Sequence, residues 1–232
     1  VTWGAMELQV KHNHLSRTGD SFPAYADVWG VHKMGGLVDT NGQSLNAVSN
    51  SPGFISLHEH DKDAVHSIVQ FGGARIGALY LSEMIQSNES GVDMLSIRTT
   101  EPVDVAHLNG IFDAAAGAVT PWSTHLGCEA SVPTNSDVAD YLDGVAFDAT
   151  NYGFVFEARL FGHPARASVV KHYSMGRRQG TSGVQVMPNM KTVYITDSAQ
   201  DGIFTKFEAK YAGDLSNGQL SCAVITNGQI TW

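Results

Sequence analysis

The sequence predicts an all-β fold, and three observations carry that expectation. Charged residues make up only 16% of the chain, while glycine supplies 24 of its 232 residues, a balance that suits a turn-rich β protein better than a helical bundle. Short β-branched and aromatic runs recur through the second half. Turn signals such as Asn217-Gly218 and Asn227-Gly228 separate them, and Asn-Gly favours tight hairpins because both residues tolerate positive φ.

Taken in order, Gly53 to His58 reads as a strand that runs into Glu59-His60-Asp61. Residues 74–86 place Ile76, Leu79, Tyr80 and Met84 on neighbouring helical turns, so a helix is expected there, weakened by Gly77. Met94 to Ile97 is a short strand, and Val132 to Asp143 is the loosest stretch. Tyr152 to Leu160 is aromatic-rich and centred on Phe154 to Glu157. Thr192 to Thr196 is β-branched between Pro188-Asn189 and Asp197-Ser198. Gly202 to Ala209 and Leu220 to Ile225 follow turn signals, which completes a run of successive antiparallel strands.

Length alone fits one large domain or two small ones, and no interdomain linker stands out. A net charge of −9 argues against a nucleic-acid partner, since phosphate backbones attract basic faces. The same acidic excess is compatible with calcium. No apolar run reaches membrane-spanning length, and Val1-Thr2-Trp3-Gly4 is not a signal peptide. The missing initial Met and the ending on Ile230-Thr231-Trp232 read as a processed chain or a fragment. Cys128 and Cys222 lie far apart, and nothing resembles a disulfide framework.

Several residues carry candidate chemistry. Cys128 directly precedes Glu129, a soft and a hard metal donor side by side. Neighbours on a strand point to opposite faces, so both reach one centre only where the backbone is irregular, which Gly127 would permit. His58 and His60 share a strand face in a spacing that suits zinc, and Glu59 turns the other way; His12 and His14 repeat the spacing in weaker context. Asp197 ends a strand, where a carboxylate ligates metal or caps a turn. Arg177-Arg178 reads as a phosphate-binding fork or a solvated charge pair. No phosphate loop, nucleotide fingerprint or nucleophile elbow is present.

Thr120-Pro121-Trp122-Ser123-Thr124-His125-Leu126-Gly127-Cys128-Glu129 resembles the Thr-Pro-Trp-Gly-Thr-Trp-Leu-Thr-Cys-Glu-Glu motif of the PhoX family of secreted alkaline phosphatases. Around it, Gly53 to Glu59, Tyr152 to Glu157, Met175-Gly176-Arg177, Thr192 to Asp197 and Asp214 to Leu220 are similar to family segments, in the family's order. The resemblance implies one β-propeller-like domain over residues 1–232, a partial propeller with short helical insertions. It also implies metal-dependent hydrolysis of small phosphate esters at an iron and calcium centre, in the periplasm or outside the cell. Carried over by position, Cys128 would bind iron, Glu59, Asp197 and Glu129 would be metal ligands, and Arg177 would contact substrate. The chain departs from the pattern where Thr181 replaces a ligand Glu, Gly180 a His, Ala130 the second motif Glu and Ser198 a second acid. It also ends where the family is midway through its propeller, so a second chain or further copies would complete the fold. Those departures motivate the alternative of a non-catalytic binding or structural module.

Overall fold

The computed structural model describes residues 51–134 and 148–232, except 62–63, 74–75 and 90–91, together with six short strands among residues 1–50. Those six are β1 (Thr2–Trp3), β2 (Met6–Glu7), β3 (Ser21–Pro23), β4 (Val31–Lys33), β5 (Gly36–Val38) and β6 (Ser44–Val48), paired as three hairpins. His12, His14 and most of the Val132 to Asp143 stretch lie outside the described residues.

The first sheet contains β7 (Pro52–Asp61), β8 (Ala64–Phe71), β9 (Ile76–Glu89) and β10 (Val92–Pro102), in the order β10-β9-β8-β7, with β11 (Ile111–Phe112) added to β9. The second runs β12 (Ala114–Val119), β13 (His125–Glu129), β14 (Val155–Phe161) and β15 (Arg166–Lys171). The third runs β16 (Thr181–Val186), β17 (Thr192–Asp197), β18 (Thr205–Tyr211) and β19 (Asp214–Cys222). A final hairpin joins β20 (Val224–Thr226) to β21 (Gln229–Thr231). Each sheet is an antiparallel meander, and β12 packs against both β7 and β16, so the first strands stand side by side. Sheets arranged in series with their first strands together are the arrangement of propeller blades, and the described all-β fold is consistent with a partial propeller. Three single-turn 3₁₀ helices, Ala106–Leu108, Ala149–Asn151 and Tyr173–Met175, are the helical insertions among the described residues.

Apolar layers between the sheets hold them together. Ile68, Leu79, Leu81, Phe156 and Val169 fill the space between the first and second sheets. Leu126, Cys128, Val155, Val184, Ile195 and Phe207 fill the space between the second and third. Each large side chain buried this way contributes about 1.5–3 kcal/mol. The alternation of a strand assigns the faces of β13. Leu126 and Cys128 look toward the third sheet, while His125, Gly127 and Glu129 look toward the first.

Two sequence expectations are corrected. The expected helix over residues 74–86 is strand β9. Its centre is apolar on both faces, with Leu79, Tyr80 and Leu81 all buried, and such a run mimics helical spacing. Gly77 marks crowding rather than a weak helix, since a Cβ there would meet the Phe71 carbonyl at 2.9 Å. Asn217-Gly218 is no hairpin turn and lies inside β19, where Gly218 lets the Phe207 ring and the Glu208 carbonyl close in. Asn227-Gly228 does turn the last hairpin, at φ values of 52° and 76°.

Gly127 is the tightest point of the second sheet. A Cβ there would collide with the Phe156 ring and with Gln70 Oε1. Gly127→Ala is expected to cost about 1–3 kcal/mol, read as a lower urea midpoint at unchanged slope.

Candidate functional site

The turn between β12 and β13 meets the end of β7 at an open pocket of about 390 Å³. His58, Glu59, His60, Trp122, Ser123 and Arg159 are among its lining residues. The turn reaches this shape because Ser123 adopts a φ of 61° and its amide closes onto the Thr120 carbonyl at 2.9 Å.

Behind the pocket, Glu157 on β14 gathers donors. Trp122 Nε1 donates to its Oε1 at 2.8 Å, Thr124 Oγ1 to the same oxygen at 2.7 Å, and His172 Nε2 to Oε2 at 2.9 Å. Arg159 stands 3.8 Å from Oε1 and is mostly exposed. Burial alone would raise the Glu157 pKa, but the hydrogen bonds from His172, Thr124 and Trp122 outweigh it and hold the carboxyl at about 2.

A second polar line crosses from the first sheet to the second. Ser56 Oγ sits 2.6 Å from His58 Nε2 and 2.7 Å from His125 Nδ1. His58 Nδ1 donates to the Ser123 carbonyl at 2.9 Å, and His125 Nε2 lies 2.9 Å from Gln70 Oε1. Burial lowers the pKa of His58, and that of His125 to about 3, so both rings are neutral at pH 7.

The Cys128 end is closed. Cys128 is fully buried among Val155, Met175 and Ile195, and burial pushes its thiol pKa well up. Neither Cys128 nor Cys222 forms a disulfide. Glu129 is fully buried and pairs with Lys171 Nζ at 3.0 Å. It also accepts from the backbone amides of Phe112, Gly153 and Phe154 at 2.8–2.9 Å. Burial raises the Glu129 pKa against the pull of Lys171, and lowers that of Lys171 against the pull of Glu129. Asp197 caps a turn by accepting from the Ala199 amide at 2.9 Å, and it stands opposite Thr181. Arg177 spends its guanidinium on the carbonyls of Tyr152 and Ala149.

These placements test the implied metal centre. Cys128 lies level with Phe54, because it pairs with Ala116 beside Gly117, and Gly117 packs on the Phe54 ring. Glu59 is five residues further along β7, about 16 Å away at strand rise, and exposed. Cys128 and Glu129 take opposite faces of β13, and the register irregularity beside them falls on β12, between Ala114 and Ala116. Among the described residues, no group of three His, Cys, Asp or Glu side chains could hold a metal ion. The donor set therefore does not fit the iron centre, and the His58–His60 zinc spacing fails with it. His58 Nε2 and Nδ1 are both engaged, and His60 Nε2 is bound to the Gly162 carbonyl at 2.8 Å.

Sequence reasoning missed Glu157, His172, Lys171, Gln70 and Ser56. It also read Arg178 as part of a phosphate-binding fork or a solvated pair, whereas the residue is buried and donates to Thr205 Oγ1 at 2.6 Å. The one available signal was Glu157, a carboxylate at the end of an aromatic strand centre.

Two measurements test this geometry. Lys171→Met strands a buried carboxylate, so it is expected to cost about 3–5 kcal/mol in chemical unfolding. The Glu157 pKa is about 2 in the folded protein and about 4.5 unfolded, so its stabilisation is complete above pH 4.5 and is lost as pH falls toward 2. That loss should be on the order of 2 kcal/mol once solvent screening is allowed for, and Glu157→Gln should flatten the slope over the same window.

No curated protein and no solved structure matches the chain. The family model described as alkaline phosphatase PhoX matches residues 83–230, more than half of the chain. That match spans the Thr120 to Glu129 run, β12 to β20 and part of β21, and the chain belongs to the PhoX alkaline phosphatase family.

Proposed function

We propose that this chain, as one PhoX-like domain, serves a phosphomonoesterase acting on small phosphate esters in the periplasm or outside the cell. The family match over residues 83–230 carries the reading. The pocket beside Trp122 supports it as the place where an ester would dock. Its wall carries the exposed Arg159 guanidinium, which suits phosphate oxygens. Glu157 is committed to Trp122, Thr124 and His172, which fixes the wall, and Arg159 stands at its edge with one guanidinium nitrogen 3.8 Å from Glu157 Oε1 and the group mostly exposed. The family is generally metal-dependent. Iron and calcium belong to this proposal, but the described donors do not assemble around them, so no step is assigned to either ion.

A second reading is a non-catalytic member that keeps the scaffold for binding or structure. The consumed donors of Cys128 and Glu129 favour it, as does Thr181 opposite Asp197. Turnover of p-nitrophenyl phosphate by the purified protein, with and without chelator and alongside elemental analysis, separates the two. The first reading expects hydrolysis that chelation abolishes and added metal restores. Saturable phosphate-ester binding without turnover would move the protein to the second, and neither binding nor turnover would remove both.

A further inference from the structure

Three features meet at the pocket beside the 120–124 turn. The first is Trp122, which is half-buried, with its uncovered part lining the pocket. Its ring is held in place. Nε1 donates to Glu157 Oε1 at 2.8 Å, and the indole packs on the apolar layer between the second and third sheets. A fixed indole favours a second flat ring, because aromatic pairs attract in offset-stacked or edge-on arrangements.

The second is Gly213, in the turn between β18 and β19, which also lines the pocket. Its φ of 76° is left-handed and disfavours most side chains. A Cβ there would lie 4.0 Å from Trp122 Cε3, so a longer side chain would crowd the benzene half of the indole. Glycine keeps that space open.

The third is Arg159. Its Nη2 stands 3.8 Å from Glu157 Oε1, the same oxygen that accepts from Trp122, so guanidinium and indole are neighbours. The guanidinium is mostly exposed, and its fork suits phosphate oxygens. Their closeness sets the reach of a ligand. A flat ring bonded to phosphorus directly or through one oxygen can touch both groups at once. A phosphate on a saturated group touches Arg159 but gains no stacking. The pocket of about 390 Å³ has an ordinary size for a small ligand. Glu59 puts a carboxylate in the same lining, which works against esters with further anionic groups.

Resting on the phosphate-ester reading of this pocket, we propose that Trp122 and Arg159 form a subsite selective for aryl phosphates, with the planar ring stacked on the indole and the phosphate held by the guanidinium. Trp122 sets the specificity, and Arg159 supplies affinity common to all phosphate esters.

Calorimetric titration of the full chain with phenylphosphonate and with cyclohexylphosphonate tests this. Neither carbon–phosphorus bond is an ester, so binding is read whether or not the protein hydrolyses esters. The phenyl compound should bind on the order of 3- to 10-fold more tightly, the range expected of one aromatic pair. Trp122→Leu should bring the two affinities together, and Arg159→Gln should weaken both alike and keep their ratio. Equal affinities in the wild type would overturn the subsite and leave the phosphate-ester reading standing. Binding of neither compound would remove that reading as well. A phenyl preference that survives Trp122→Leu in a folded protein would also overturn the subsite. If that variant does not fold, Gly213→Asn takes its place, since Asn tolerates positive φ and its side chain would crowd the indole. An unchanged phenyl preference there would overturn the subsite.

Discussion

Every residue of β13 is buried, and a strand buried on both faces must settle each polar side chain inside the protein. His125 meets Ser56 and Gln70, Glu129 meets Lys171 and three backbone amides, and Cys128 joins an apolar layer. The glycine between them is there because Phe156 and Gln70 leave no volume for a Cβ. The motif run that looks most chemical in the sequence is therefore the most constrained by packing. Its polar groups join the first and second sheets, and its apolar Leu126 and Cys128 pack on the third.

That constraint separates ancestry from chemistry. A metal centre needs donors that converge and whose protons come off readily. At the Cys128 end, burial keeps the thiol protonated and Lys171 already balances the carboxylate. Arg178 adds a buried cation whose charge reaches Cys128 and Asp197. The other end is open, with Trp122, Arg159 and the His58 ring around a solvent-facing pocket. The family match covers the closed Cys128 end as well as the turn at the open end, so membership in the family does not depend on a donor set at Cys128.

Much of the fold could be read from the residues because turn and strand chemistry is local. The β17 strand, the Asp197 turn and the Asn227-Gly228 hairpin all follow from their own sequences. Asn217-Gly218 misleads because the same dipeptide also permits close packing within a strand, and only the Phe207 ring across the pair decides which use is made. β9 misleads because burial on both faces erases its period of two. The site was less legible still. Glu157 and His172 are fifteen residues apart, and Ser56 and His125 sixty-nine apart, so no local pattern ties them.

The two buried polar lines converge on the 120–124 turn. Glu157 holds it through Trp122 and Thr124, and His58 holds it through the Ser123 carbonyl. One grip is a carboxylate that accepts from three side chains and stays ionised across neutral pH. The other is a buried imidazole that donates to a backbone carbonyl. A turn held by buried partners on two sheets keeps its pocket face fixed against the scaffold behind it.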